Sequence, residues 1–275
     1  MTIVIWLACI ALAAFCLYIW AISGAVSKKY RLSTYYAHRG LHNANKPENT
    51  LPAFKAAVSC GFGIELDVRL SADKTVVVIH DDDLTRLADM PGKVEDYTAD
   101  ELSAMSILGS GYGIPTLKEV LKCVNKQVPL LIEIKSEGAA GKLEEEVYKI
   151  LAPYDGEYAI QSFSPLSLRW FMKNSPQTVR GQLACGFSKG AEHISAFKKF
   201  FVKNLLTNFL CRPNFISYEY TGAGTGVVKR LRKSGLPIIV WTINRQEELN
   251  RVFFESDSVI FEGFTPREGN ESTVI

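Results

Sequence analysis

Charge is absent from the start of this chain. Between Thr2 and Val26 there is no Asp, Glu, Lys, Arg or His, which excludes an ordinary solvated surface element there. Histidine is sparse, at four in 275 residues, so each one weighs in any argument about proton transfer. The six cysteines (Cys9, Cys16, Cys60, Cys123, Cys185 and Cys211) are scattered, with no CxxC pair and no metal-ligand spacing. That argues against a disulfide scaffold or a zinc ribbon and for free thiols in a reducing compartment. A net charge of only +2 gives no global field that would gather nucleic acid.

What is present suffices for a core: 47% of residues are hydrophobic and 22% charged, well away from the disordered range. The length suits one large domain, and a single α/β barrel takes about 250 residues. The uncharged run, read as a helix of roughly 25 residues, spans about 37 Å, where a bilayer core needs about 20 residues. Trp6, Tyr18 and Trp20 fall at positions suited to the interfaces. The basic cluster Lys28, Lys29 and Arg31 follows, and no Lys or Arg precedes. The positive-inside rule therefore places the rest of the chain in the cytoplasm. Residues 1–27 are expected as a single transmembrane anchor and 28–275 as the folded body. A cleaved signal peptide is the competing reading: Ala21, Ser23 and Ala25 offer small residues for cleavage, but the run is long and lacks a basic start.

Beyond the anchor, short apolar runs alternate with helical patterns, the signature of a βα succession around a parallel sheet. Strands are predicted at Thr34–Ala37, Gly63–Leu70, Thr75–Ile79, Val128–Ile134, Tyr158–Gln161, Thr178–Ala184, Asn214–Tyr218, Pro237–Thr242 and Ser258–Phe261. Helices are predicted at Leu51–Cys60, Lys142–Leu151, Pro165–Asn174, Val227–Ser234 and Gln246–Phe254. With Thr75–Ile79 taken as an extension beside the second strand, about eight core strands remain. That number favours a closed TIM-type (β/α)8 barrel over an open doubly wound sheet.

Three stretches interrupt the succession. Residues 82–113, polar and rich in turn signals, read as a small insertion after the second strand region. Glu192–Leu210 reads as a helix with a basic, aromatic face; an apolar stripe packed inward is preferred over a face laid on a membrane surface. Gly222-Ala223-Gly224-Thr225-Gly226 reads as a βα loop at the barrel mouth in preference to a phosphate cradle, because the last glycine of a dinucleotide fingerprint is missing.

Polar residues collect at the strand ends. Glu65 and Asp67, two apart on a strand, project from one face with Cα atoms roughly 6.5 Å apart, and like charges that close need a counter-charge. Glu133 closes the apolar run Pro129-Leu130-Leu131-Ile132, where an unpaired carboxylate is costly. Three carboxylates suit a hard divalent cation, Mg²⁺ or Ca²⁺, with water and substrate completing the shell. A salt bridge from Glu133 to Lys135 is the purely structural alternative, and it leaves Glu65 and Asp67 unexplained. His38 and His80 each follow an apolar strand, and imidazoles exchange protons at neutral pH. Arg39 suits a forked phosphate contact and Lys135 adds a point charge. Within Pro47-Glu48-Asn49-Thr50, Asn49 or Thr50 suits a helix cap. Glu48 suits orienting a histidine or completing a metal shell.

At this point the chain resembles the glycerophosphodiester phosphodiesterase family, over roughly residues 34–266. The matching segments are His38-Arg39-Gly40, Pro47-Glu48-Asn49-Thr50, Glu65-Leu66-Asp67-Val68 and Val77-Val78-Ile79-His80-Asp81 with Leu84 and Arg86. Further matches are Ile114-Pro115-Thr116-Leu117 with Glu119, Leu131-Ile132-Glu133-Ile134-Lys135, Gln161-Ser162-Phe163 and Val240-Trp241-Thr242-Ile243-Asn244. The resemblance implies a TIM-type barrel with an insertion after His80. It also implies Glu65, Asp67 and Glu133 as metal ligands, His38 and His80 as the acid–base pair, Arg39 and Lys135 on phosphate, and Trp241 lining the site. A departure falls at the end: family members often carry Thr-Asp after the last strand, where this chain has Phe261-Glu262.

The expected function is metal-dependent hydrolysis of glycerophosphodiesters to glycerol 3-phosphate and an alcohol. Two readings compete with it. One is a lysophospholipase D acting on membrane lysophospholipids, motivated by the anchor; the other is an inactive, membrane-bound phosphoester-binding protein, from which a histidine or ligand should have been lost. A phosphatidylinositol-type phospholipase C barrel also uses two histidines but fits the three-carboxylate set less well.

Overall fold

The computed structural model describes residues 2–25, 32–136, 138–186 and 195–267. Nine strands form among the described residues: β1 (Tyr35–Ala37), β2 (Gly63–Leu70), β3 (Val76–Val78), β4 (Leu130–Ile134), β5 (Tyr158–Ser162), β6 (Arg180–Ala184), β7 (Phe215–Glu219), β8 (Ile238–Ile243) and β9 (Ser258–Phe261). Eight run parallel and close on themselves, since β1 pairs with both β9 and β2. The ninth, β3, folds back antiparallel on β2 as a hairpin, with Val68 opposite Val78. The sheet is thus the closed barrel that the strand count favours, with strand boundaries moved by one or two residues.

Alternation along each strand decides what enters the barrel. Ile64, Leu66 and Val68 of β2, with Leu130, Ile132 and Ile134 of β4, face outward into the main core beneath the surrounding helices. Their neighbours face inward. Low in the barrel, Tyr36, Leu131, Ala159, Phe215, Ile239 and Ile260 pack into an apolar plug, each no more than 2% exposed. Gly181 makes room for it, because a Cβ there would lie 2.0 Å from the Phe215 ring. On β2 and β4 the next inward positions are Glu65, Asp67 and Glu133, and the register sets Asp67 level with Glu133. The same period of two that builds the core therefore aims three carboxylates into the barrel axis.

Short helices connect the strands, several started by side-chain caps: Thr116 with Glu119 in a capping box, and Ser164 ahead of Pro165. Between β3 and the helix Leu117–Val124, the chain makes an excursion with a small core of its own, including Leu84, Leu87, Val94, Leu102 and Ile107 packed on Val77 and Ile79. One expectation is corrected. The described part of Glu192–Leu210 is not a continuous helix but two, Ala196–Lys203 and Asn208–Cys211, broken where Leu205 takes a left-handed conformation (φ 56°). Leu205 is buried, while no residue of Ala196–Lys203 is, and Phe197 and Phe200 stand exposed. The break turns the chain so that the fully buried contact falls at Leu205, after the first helix, whose Val202 is only partly buried against the core.

The apolar amino terminus forms one helix, Thr2–Ile22, long and apolar enough to cross a membrane. Lys28, Lys29 and Arg31 lie outside the described residues. The helix meets the barrel over its last two turns, from Phe15 on: Ile22 is buried, Asn208 Nδ2 donates to Ile22 O at 2.7 Å, and Arg212 Nη1 donates to Trp20 O at 2.8 Å. These donors satisfy helix-end carbonyls that have no partner within the helix.

Candidate active site

Loops at the carboxyl ends of the strands bring the polar residues together. The first, after β1, carries His38 and Arg39. Gly40 follows with φ 83°, and a Cβ there would lie 2.9 Å from the Ala53 backbone, so only glycine lets the turn sit on the helix Leu51–Ser59. Arg39 and Asn49 also adopt left-handed backbone (φ 53° and 56°), and Asn49 N donates to Arg39 O at 2.9 Å. Such conformations are uncommon outside glycine, and here they fold the two ends of the loop between β1 and the helix Leu51–Ser59 against each other beside the carboxylates.

Glu65, Asp67 and Glu133 are all buried, and each offers an oxygen within 4.8 Å of the other two. Their surroundings divide them. Burial, reinforced by Asp67 and Glu133, pushes the Glu65 carboxyl well above its ordinary range. Burial also raises Glu133, against the opposing pull of Lys135. Burial acts upward on Asp67 too, but Lys135, His80, Arg39 and the Asn49 amide together hold it below the usual carboxylate range. Lys135 Nζ sits 2.7 Å from Glu133 Oε1 and 3.0 Å from Asp67 Oδ1. Arg39 N donates to Glu65 Oε2 at 3.1 Å, Gln161 Nε2 to Glu65 Oε1 at 3.3 Å, and Asn49 Nδ2 to Asp67 Oδ2 at 2.9 Å. The Glu133–Lys135 pair of the structural alternative does form. It leaves three buried carboxylates sharing two cations, Arg39 and Lys135, which is a set of donors that a divalent cation fits.

The histidines flank this cluster, each fixed by a carboxylate on Nδ1. His80 Nδ1 lies 2.7 Å from Asp81 Oδ1, and Arg86 holds the other oxygen of Asp81. Hydrogen bonds from Arg86 and His80 outweigh burial and bring Asp81 down to about 2. Burial lowers His80 itself, so its neutral form prevails at pH 7. His38 Nδ1 lies 2.8 Å from Glu262 Oε2, and His42 Nε2 lies 3.2 Å from Glu262 Oε1. Hydrogen bonds from these two imidazoles hold Glu262 below the ordinary carboxylate range. In both histidines Nε2 remains as the nitrogen open to a substrate.

Some placements differ from expectation. Glu48 is neither beside a histidine nor in the carboxylate cluster: its Oε1 lies 2.6 Å from Arg39 Nη1 and its two oxygens accept the fork of Arg86 at 2.8 and 2.9 Å. It reaches His80 only through Arg86 and Asp81. Thr50 holds the cap position of the helix Leu51–Ser59, yet its hydroxyl bonds Pro47 O and caps nothing. Asn49, offered as a cap, is instead a clamp on Asp67. Glu262 and His42 were missed as site residues. The signals for Glu262 were its place just past the last strand, beside the first in a closed barrel, and its standing where the resembled family often carries the Asp of Thr-Asp.

The cluster opens into a cavity of about 140 Å³ lined by His38, Arg39, His80, Lys135, Phe163 and Trp241 among others. Trp241 meets the edge of Phe163 at 5.8 Å, and its Nε1 is buried with no hydrogen-bond partner among the described residues. A larger groove of about 500 Å³ adjoins at Lys135, between Arg69 and Lys74 on the hairpin side and Lys142 and Glu144 opposite.

A carboxylate trio between two carboxylate-fixed histidines, at the mouth of a (β/α)8 barrel, is the arrangement of a phosphoester-cleaving site. The glycerophosphoryl diester phosphodiesterase family matches residues 38–259, and this chain belongs to that family. The Bacillus subtilis protein YhdW is 34% identical over 224 residues, covering 77% of this chain and 86% of that one. A glycerophosphodiester phosphodiesterase of Caldanaerobacter subterraneus is 32% identical over 229 residues, covering 78% and 88%. Among solved structures, the glycerophosphodiester phosphodiesterase of Thermotoga maritima superposes with a TM-score of 0.65 at 32% identity, over 84% of this chain and 95% of that one.

If Glu262 fixes the ring of His38, Glu262→Gln lowers kcat by roughly 10- to 100-fold, KM stays within a few-fold, and Glu262→Asp recovers part of the loss. A kcat within twofold of the parent for Glu262→Gln would remove that role.

Proposed function

We propose that the protein is a phosphoric diester hydrolase that converts glycerophosphodiesters to glycerol 3-phosphate and an alcohol. One observation carries the reading: three buried carboxylates, with oxygens within 4.8 Å of one another, lie between two histidines in a chain of this family. Glu65, Asp67 and Glu133 would hold a divalent cation, Mg²⁺ or Ca²⁺. When bound, it supplies positive charge to the phosphoryl oxygens and to the attacking oxygen.

The chain's own residues do the rest. Arg39 and Lys135 face the cavity as phosphate partners, one able to fork and the other a point charge. An attacking water forms the new P–O bond as the bond to the leaving alcohol breaks; where a substrate hydroxyl attacks instead, a cyclic phosphate forms and a second attack by water opens it to glycerol 3-phosphate. His80, neutral at pH 7 because burial lowers its pKa, is suited to take the attacker's proton. His38, on the Glu262 side, then protonates the leaving alkoxide. The 140 Å³ cavity beside Phe163 and Trp241 suits a three-carbon polyol, and the larger groove at Lys135 leaves room for the rest of the diester.

The Thr2–Ile22 helix is assigned as a transmembrane anchor within residues 1–27, with the barrel of 28–275, including the 82–113 insertion, on the cytoplasmic side. The same helix motivates the second reading, a lysophospholipase D acting on membrane lysophospholipids. An inactive phosphoester-binding role has nothing to favour it, since both histidines and all three carboxylates are in place.

Three measurements test this reading. His80→Ala should reduce hydrolysis of glycerophosphocholine by at least about 100-fold with the melting temperature unchanged; retained activity would sink the two-histidine scheme. Treatment with EDTA should inactivate the enzyme and an added divalent ion restore it, whereas full activity in EDTA would remove the cation. Turnover of glycerophosphocholine should exceed that of lysophosphatidylcholine by at least tenfold in kcat/KM, and the reverse preference would install the lipase reading.

A further inference from the structure

We infer that the lower rim of the barrel, at the amino ends of β7 and β8 and beside the apolar helix, rests in the headgroup layer of an anionic bilayer. The catalytic mouth then opens to water. The inference builds on the reading of Thr2–Ile22 as a membrane anchor.

Every grip on that helix comes from the lower rim. Asn208 holds Ile22 O at 2.7 Å, Arg212 holds Trp20 O at 2.8 Å and Ser23 O at 3.1 Å, Asn214 holds Ala25 O at 2.8 Å, and Ala25 N donates to Pro213 O at 2.8 Å. Pro213 and Asn214 precede β7, at the end of the barrel opposite the carboxylates. Strands of this length set the two ends roughly 16 Å apart.

Length then fixes the level of the rim. A helix of 21 residues spans about 31 Å, while the hydrocarbon layer takes about 30 Å. The barrel grips the helix as far back as Phe15, over which Arg230 sits at 5.4 Å. Only the residues before Phe15 are free of it, and they cover roughly 20 Å. The helix crosses the layer only if the turns it shares with the rim supply the remaining distance of about 10 Å, which sets its carboxyl end, and the rim that grips it, at the bilayer surface.

The chemistry of the rim fits that place. Trp20 stacks on Phe209 at 5.0 Å, Arg212 covers Trp20 at 4.9 Å, and Arg230 covers Tyr18 at 5.5 Å. Aromatic rings under arginine heads are the composition of a membrane interface. On the far side of the helix Gly226–Lys233, Phe254 is 82% exposed, its carbonyl held by Arg232. The acids there, Glu255 and Asp257, face Lys229 and Arg232. Arg212, Arg230 and Lys233 therefore set the local sign, and that sign suits anionic headgroups.

The test uses the full chain carrying both Phe254→Cys and Leu108→Cys, in vesicles with one third phosphatidylglycerol in phosphatidylcholine. Leu108, on the insertion, is 58% exposed and serves as the water-facing reference within each molecule. A membrane-impermeant maleimide is added and each position is read by mass spectrometry. Position 254 should react at least tenfold more slowly than 108, although the isolated barrel exposes it more, and its rate should rise at least threefold in pure phosphatidylcholine. Equal rates at the two positions in a protein that resists carbonate extraction would overturn the rim's placement alone. Release by carbonate would overturn the anchor and the placement together. Protection that ignores lipid charge would overturn the anionic preference. Unchanged hydrolysis of glycerophosphocholine by the double variant verifies that the fold is intact.

Discussion

The rest of the site depends on keeping three carboxylates together out of water. At separations of 4.8 Å or less, each pair of full charges would repel by on the order of 3 kcal/mol even at an effective dielectric of 20. Burial adds to that by favouring the neutral acids, as the upward shifts of Glu65 and Glu133 record. The surrounding groups are arranged against this: Arg39 through its backbone and guanidinium, Lys135 between Asp67 and Glu133, and the amides of Asn49 and Gln161. The left-handed backbone at Arg39 and Asn49, and the glycine between Arg39 and Leu41, exist to place those donors.

From this cluster a second set of charges runs outward in alternating sign. Arg39 meets Glu48, Glu48 meets Arg86, Arg86 meets Asp81, and Asp81 meets His80. Each group is the partner of the next, so truncating one leaves another partly buried charge exposed to the cost of being alone. The insertion contributes through this series as well as through its small core, because Arg86 lies within it.

Much of this was legible in the chain. Period-two runs aimed Glu65, Asp67, Glu133 and Lys135 to one face, and the ends of apolar strands marked His38 and His80. The strand count gave closure, since the alternative open sheet would leave β1 and β9 as edges. What the chain did not reveal required knowing which distant segments meet. Glu262 lies 224 positions from His38, and only closure of the barrel sets them side by side. Asn49 stood one residue before a helix start, where a cap and a site ligand look alike. The break at Leu205 carries no glycine or proline to announce it, and so an amphipathic pattern passed for one helix.

The apolar plug of Tyr36, Leu131, Ala159, Phe215, Ile239 and Ile260 has a kinetic meaning beyond packing. It makes the barrel a cup with a sealed floor, so reactant and both products share one doorway. On the proposed reading, with the phosphorylated polyol beside Trp241 and Phe163, that inner fragment would leave only after the alcohol, and it would be the one positioned to compete with the next substrate.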